Sequence, residues 1–194
     1  MTETATQQVW RTLDGAAAPL EGTYVLDKAH TTVAFVARHL MVAKVRGHFE
    51  EFEGTITVGK DAGSSSIAAT IQAASVDTRD ETRDKHIRSA DFLDVEKFPT
   101  IRFASTSVQA AGAERWKVLG DLTIRDVTRP VQLEVEWNGA TRDPWGGVRF
   151  GFSATTEIDR DEFGVSFNAA LETGGFVVAK QVKIEIDGEA TLQA

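Results

Sequence analysis

The sequence predicts an all-β protein built as an eight-stranded antiparallel barrel with one or two short helices. Apolar and polar residues alternate along most of the chain after Gly22, and glycines separate the alternating runs. One apolar and one polar face per strand is typical of antiparallel sheets that have solvent on one side. The longest runs reach about eleven residues, which suits tilted barrel strands.

The alternation is clearest over Pro130–Asn138, where Val131, Leu133 and Val135 share one face. A short run, Thr23–Asp27, leads into the first long strand, so that about eight strands are expected in all. In chain order the longer predicted strands are Thr31–Arg38, Gly47–Val58, Ser65–Ser75, Thr100–Val108, Trp116–Arg125, Pro130–Asn138, Val148–Ile158 and Val182–Leu192.

Two segments interrupt the alternation and are predicted to be helical. The first is Ala37–Lys44, about two turns long. The second begins at Thr78, where Thr78 and Glu81 have the spacing of a capping box. Phe98–Pro99 ends this excursion, because a residue before proline avoids the helical region. Long ordered connections of this kind often form the lid or mouth of a barrel.

Length and composition indicate one globular domain. The 194 residues are expected to divide into a flexible arm over 1–21 and a barrel domain over 22–194. The absence of cysteine excludes thiol catalysis, thiolate metal sites and disulfides. A net charge of -8 argues against a nucleic-acid partner. No apolar run is long enough for stable membrane insertion or for a secretory signal, so a cytoplasmic location is expected.

The apolar strand faces mix phenylalanines with small residues such as Ala69 and Gly120. A packed interior favours bulk throughout, so the small residues predict spare space inside the barrel. The predicted lining of this cavity consists of Val33, Phe35, Phe103, Leu122, Ile124, Phe150, Phe152, Phe163, Val165 and Phe167.

No motif for metal or cofactor binding is present. The four histidines are separated by gaps of about nine, nine and thirty-eight residues, without the close spacing of metal-ligand motifs. Asp27 and His30 could form two members of a nucleophilic triad, but a Gly-x-Ser-x-Gly elbow is absent. The sequence also lacks a phosphate-binding glycine-rich loop. Neither a metal nor a cofactor is expected.

The segment after Thr78 is highly charged, and two interpretations stay open. It is either a solvated helix face whose charges hold a lid, or a cationic mouth that binds an anionic head group. The candidate head-group residues are Arg83, His86 and Arg88, with Arg38 as a further candidate from the other predicted helix.

Several motifs together resemble the YceI-like family of polyisoprenoid-binding proteins, which have a lipocalin-like barrel. The resemblance covers about Gly22–Leu192. It is carried by GTYVLDKAHTTVAFVARHLMVAKVRGHFEEFEGTI, TRDETRDKHIRSADFLDVEKFPTIRF, GDLTI followed by TRPV, GFSATTEIDRDEFGVSFN and LETGG.

The resemblance implies non-catalytic binding, transport or storage of a long-chain isoprenoid lipid, such as a polyprenyl diphosphate or an isoprenoid quinone. One alternative is an enzyme that acts on a hydrophobic substrate through His86 or the Asp27–His30 pair. Another is a structural or stress-related barrel whose pocket is incidental. Pairing of exposed strand edges or of the lid would give a homodimer, which nothing in the sequence requires.

Overall fold

Strands dominate the chain, as the alternation predicts. The computed structural model describes residues 8–40, 42–169 and 177–193, and the LETGG motif at 171–175 lies outside them. Within these ranges the elements are β1 (Trp10–Leu13), β2 (Ala16–Pro19), β3 (Gly22–Leu26), β4 (Thr32–His39), β5 (Ala43–Phe49), β6 (Phe52–Val58), β7 (Ser66–Gln72), β8 (Val76–Asp77), α1 (Glu81–Arg88), β9 (Thr100–Gly112), β10 (Arg115–Ile124), β11 (Val127–Arg142), β12 (Val148–Asp159) and β13 (Val178–Leu192).

Eight strands close into an antiparallel barrel. Their order is β12-β11-β10-β9-β7-β6-β3-β13, and β13 pairs with β12 to complete the ring. Closure leaves the ring without a free edge, so each inward face is enclosed on all sides. The predicted eight-stranded antiparallel barrel is confirmed.

One end of the barrel is extended by extra strands. β13 pairs with β3 near its C-terminal end and with β4 over Val178–Asp187. β4 then pairs with β5, and β5 with β8. The predicted strand Gly47–Val58 is therefore two strands. Glu50 and Glu51 are both exposed, and two consecutive polar residues break the alternation between Phe49 and Phe52.

The helix predicted over Ala37–Lys44 is wrong, because the described residues of this segment belong to the β4–β5 hairpin. Ala37 pairs with Val45, and His39 pairs with Ala43. At the turn Leu40 has a φ of 51°, and the Val42 N–H donates to the His39 carbonyl at 3.1 Å. Cross-strand hydrogen bonding to β13 and β5 outweighs the weak local helix propensity of these residues.

The second predicted helix exists, but it begins later than the capping-box motif predicts. α1 is capped by Asp80, whose side chain accepts from the Arg83 N–H. Thr78 is instead buried before the helix, and its N–H and hydroxyl both donate to Asp84 Oδ1, at 2.8 and 2.5 Å. Thr78 therefore connects the strand before the helix to the first turn of α1.

The N-terminal segment differs from the flexible arm that we expected. In the described part, β1 and β2 form an antiparallel hairpin across one end of the barrel. Leu13 and Ala16 are buried there, and Trp116 Nε1 donates to the Ala17 carbonyl at 2.8 Å. We call this end the closed end. Among the described residues, no helix has the length and apolar character that crossing a bilayer requires.

Candidate functional site

The barrel contains a cavity of about 860 Å³. A volume in this range suits one elongated small molecule. The cavity runs from Leu13 and Ala18 at the closed end to α1 and the ends of β4 and β12 at the other, which we call the mouth. All ten residues predicted to line a cavity border it: Val33, Phe35, Phe103, Leu122, Ile124, Phe150, Phe152, Phe163, Val165 and Phe167.

Alternation explains why the strands supply this lining. In β12 every second residue from Val148 to Ile158 points inward, and those beyond Val148 border the cavity. Because a strand repeats every two residues, this inward face is apolar along the barrel axis except at Thr156. β4, β9, β10 and β13 contribute their apolar faces in the same manner.

Glycines accommodate the inward aromatic rings, which corrects one sequence-based expectation. Gly120 does not leave free space in the cavity, since a Cβ there would lie 2.4 Å from the Phe103 ring. Phe103 fills that space by lying against the backbone of β10. Part of the lining is therefore recessed into the wall, which leaves the centre of the barrel open.

The closed end is sealed by aromatic packing. Tyr24 is fully buried, and its ring meets Phe150 edge-on with the centroids 5.0 Å apart. Trp137 stacks on Phe150, with the ring centroids 5.7 Å apart. Burial raises the pKa of the Tyr24 hydroxyl, which donates to the Leu20 carbonyl at 3.0 Å. A ligand therefore has its entrance at the mouth.

An aromatic cluster of His86, Phe92 and Phe167 narrows the mouth. The His86 ring meets Phe92 and Phe167 edge-on, each at 5.0 Å, and these two phenylalanines are 5.4 Å apart. His86 Nε2 lies 2.8 Å from Asp91 Oδ2, which fixes the ring orientation. Phe167 is 39% exposed, so the cluster separates the cavity from solvent by one layer of side chains.

The structure brings three of the four head-group candidates to the mouth. Arg38, Arg83 and His86 border the cavity, with Arg38 on β4 and the other two on α1. Arg83 is partly committed to the lid, because it donates to the Thr78 hydroxyl and carbonyl at 2.7 and 2.8 Å.

The expectation for Arg88 is corrected. Arg88 does not border the cavity, and its guanidinium donates to the carbonyls of Ala74 and Val76 at 2.7 and 2.5 Å. These contacts hold α1 on the outside of the barrel. Arg88 lies one helical turn after Asp84, and this side of α1 faces away from the cavity.

Arg160 is a mouth residue that our sequence reasoning missed. It is buried at the end of β12 and donates to the carbonyls of Phe167, Ala179 and Val178 at 3.0, 3.0 and 3.3 Å, and also to that of Val165. Burial lowers the pKa of its guanidinium, with an opposing effect from Asp161. The inward phase of β12 continued by one step beyond Ile158 would have identified it.

The Asp27–His30 pair forms, but outside the cavity. His30 Nδ1 lies 2.9 Å from Asp27 Oδ2, and neither residue borders the cavity. Arg149 lies beside them, 3.5 Å from Asp27 and 2.8 Å from Asp143, and also contacts Glu189. The hydrogen bond from His30 lowers the pKa of Asp27. The pair is thus not positioned to act on a molecule inside the barrel.

Among the residues that the structure describes, two groups of side chains have an arrangement that could hold a metal ion: Asp27, His30 and Glu189, and His48, Glu50 and Asp77. In the first group, the Arg149 guanidinium already neutralises the carboxylates. In the second group, His48 and Asp77 are cross-strand partners whose side chains are 3.8 Å apart. Both groups lie outside the cavity.

Comparison with known proteins identifies relatives over nearly the whole barrel. A family model described as YceI-like domain matches residues 24–190. A UPF0312 protein of Staphylococcus aureus strain USA300 is 38% identical over 174 residues, which cover 87% of this chain and 97% of the relative.

Solved structures share the architecture. Burkholderia cenocepacia BcnA matches with a TM-score of 0.74 and 24% identity, covering 84% of this chain and 98% of that one. A Campylobacter jejuni YCEI protein matches with a TM-score of 0.70 and 26% identity, covering 81% and 90%. A polyisoprenoid binding domain from Saccharophagus degradans matches at 0.65 and 16% identity, covering 88% and 98%, which indicates a common fold.

Proposed function

The chain belongs to the YceI-like domain family, and we propose that it binds one long isoprenoid lipid in the barrel without transforming it. The observation that carries the proposal is the cavity of about 860 Å³, whose walls are predominantly apolar from the closed end to the mouth. A solved structure with the same fold is described as a polyisoprenoid binding domain. The ten lining residues are proposed to contact the chain of the lipid.

The energetics favour such a ligand. Each buried methylene contributes about 0.8 kcal/mol, so an isoprenoid chain supplies a large gross driving force. Ordering the chain and losing its translational freedom offset much of this gain. An apolar wall discriminates weakly between chain lengths, since one methylene is worth about 1–3 kcal/mol. Selectivity is therefore expected at the polar end of the ligand.

The mouth offers donors for that polar end. In the described part of the chain, every basic residue that borders the cavity is at the mouth: Arg38, His39, Arg83, His86 and Arg160. Arg160 is occupied by backbone carbonyls, and Arg83 by Thr78. We therefore assign head-group contact to Arg38, with Arg83 and His86 at its side. Diphosphate or quinone oxygens would accept charge-assisted hydrogen bonds there.

The test is organic extraction of the purified protein and mass spectrometry of the extract, followed by titration with a prenyl diphosphate. Ala69→Leu, which adds bulk to an inward position, should weaken binding at least tenfold. Thr70→Leu, on the opposite face of the same strand, should leave it unchanged. An empty cavity together with no measurable affinity for any prenyl lipid would contradict the proposal.

A further inference from the structure

The tip of the β4–β5 hairpin exposes apolar side chains that the barrel does not need. Val42 is 83% exposed and Leu40 is 38% exposed, and Met41 between them lies outside the described residues. Leu40 also has a φ of 51°, a conformation that asparagine adopts more readily than leucine. Apolar side chains that are exposed next to one another, unlike singly scattered ones, are typical of a surface that contacts another apolar phase.

This tip is located at the mouth of the cavity. The Leu40 N–H donates to the Val177 carbonyl at 2.9 Å, and Val177 borders the cavity. Arg38 and His39, immediately before the turn, border it as well. Phe167 presents a further exposed apolar surface at the same end. Whatever surface the tip contacts is therefore brought next to the opening through which a ligand passes.

The flanks of the tip carry two adjacent cations. Arg38 and Lys44 are exposed and are direct cross-strand partners in the hairpin. Like charges in this position destabilise an antiparallel pair. The cations Arg46 and Lys183 both pair with Glu185, whereas within the described residues neither Arg38 nor Lys44 takes part in a salt bridge. In a chain with a net charge of -8, this pair forms a local basic patch beside an apolar tip.

We propose that the β4–β5 tip docks on the surface of an anionic lipid bilayer, with Leu40 and Val42 entering the interface and Lys44 contacting lipid phosphates. Apolar side chains flanked by basic residues are the combination that binds such interfaces. Docking in this orientation brings the mouth to the level of the head groups, so a lipid can pass without crossing water. This inference concerns the surface and does not require the ligand to be an isoprenoid.

The experiment is co-sedimentation of the protein with vesicles of phosphatidylcholine alone and of phosphatidylcholine mixed with phosphatidylglycerol. The wild-type protein should bind the mixed vesicles, and more strongly at low salt. The double variant Leu40→Asn/Val42→Ser should lose at least tenfold in partition coefficient, because asparagine suits the positive φ and serine removes the exposed apolar group. Lys44→Gln should lose about threefold, only on the anionic vesicles.

Trp145→Ser is the matched control. Trp145 is 88% exposed in the β11–β12 turn, at the closed end of the barrel. The Trp145→Ser variant should bind vesicles as the wild-type protein does. Loss of vesicle binding in Trp145→Ser, unchanged binding in the double variant, or no wild-type binding to anionic vesicles would each overturn the proposal. A prenyl diphosphate titration without vesicles, run on the same variants, reports the cavity separately.

Discussion

The ring of Phe152 lies against the backbone of Gly188, its direct partner on β13, so closely that a Cβ on Gly188 would be 2.5 Å from the ring. Phe35 and Gly47 have the same relationship across β4 and β5, at 2.4 Å. Glycine beneath an aromatic ring is a recurrent means of stabilising strand pairs. In this barrel, it also keeps the rings at the wall and the centre open.

Gly188→Ala should push the Phe152 ring into the cavity. The three heavy atoms nearest to the new Cβ all belong to that ring, so we expect the ring to move and the backbone to stay. We expect weaker lipid binding and a loss of about 1–3 kcal/mol in the free energy of unfolding, the usual result of overpacking. Gly151→Ala, whose Cβ would meet nothing closer than 3.5 Å, is the control and should change neither quantity. Ligand titration and urea denaturation measure both.

Arg38→Gln should weaken binding of a prenyl diphosphate about three- to fivefold and leave the matching prenyl alcohol unaffected. The difference should grow at low salt, where an exposed charge is less screened. Arg88→Gln serves as the control, because Arg88 does not border the cavity and its guanidinium donates to backbone carbonyls. It should lower the melting temperature without distinguishing the two ligands. If Arg38→Gln weakens the binding of both ligands equally, Arg38 does not contact the head group.

Arg160→Met should destabilise the mouth by at least about 2 kcal/mol, because carbonyls such as those of Phe167 and Ala179 lose a buried donor. In the same variant, hydrogen exchange of the backbone amides from Val165 to Phe167 should be faster than in the wild type. Arg129→Met changes an exposed side chain with one long hydrogen bond, at 3.4 Å, and should be neutral. A fully stable Arg160→Met protein would show that water replaces the guanidinium without cost.

Arg149 should make the protein more stable at neutral pH than in acid. Its hydrogen bond to Asp143 lowers the pKa of that carboxyl. A lowered pKa contributes stability above the unfolded value, near pH 4, and that stability is lost as the pH falls through the folded value. Arg149→Met should therefore flatten the acid side of the curve of unfolding free energy against pH. Lys28→Met, which removes an exposed pair with Glu51, should leave the curve unchanged.

Leu13→Ala should cost about 2–3 kcal/mol, because Leu13 is 6% exposed in the hairpin that seals the closed end. Trp10→Ala, in the same strand but 40% exposed, should cost less than half as much. Thermal or urea unfolding measures both. A neutral Leu13→Ala variant would agree with the flexible arm that the sequence predicts and not with a packed hairpin.

Much of the barrel could be predicted because the alternation of apolar and polar residues is a local property of the sequence. A strand presents alternate residues to alternate faces, so an apolar residue at every second position marks the inward face without knowledge of its partner. This alternation alone predicts that Phe150, Phe152 and Leu122 line the cavity. The same alternation, extended one step beyond Ile158, reaches Arg160, which is charged and therefore differs from the apolar residues that mark the lining.

Only the tertiary structure decided which segments pair and which way the lid residues face. Residues 37–39 have no strong local preference, and Ala37 and His39 adopt the strand conformation because they pair with β13, more than 130 residues away in the sequence. Arg83 and Arg88 lie on the same short helix. Arg83 borders the cavity, whereas Arg88 lies outside it and donates to the Val76 carbonyl of β8. The orientation of a helix against a barrel is set by contacts between residues that are distant in the sequence. The spacing of residues along the helix alone therefore cannot predict which of them face the cavity.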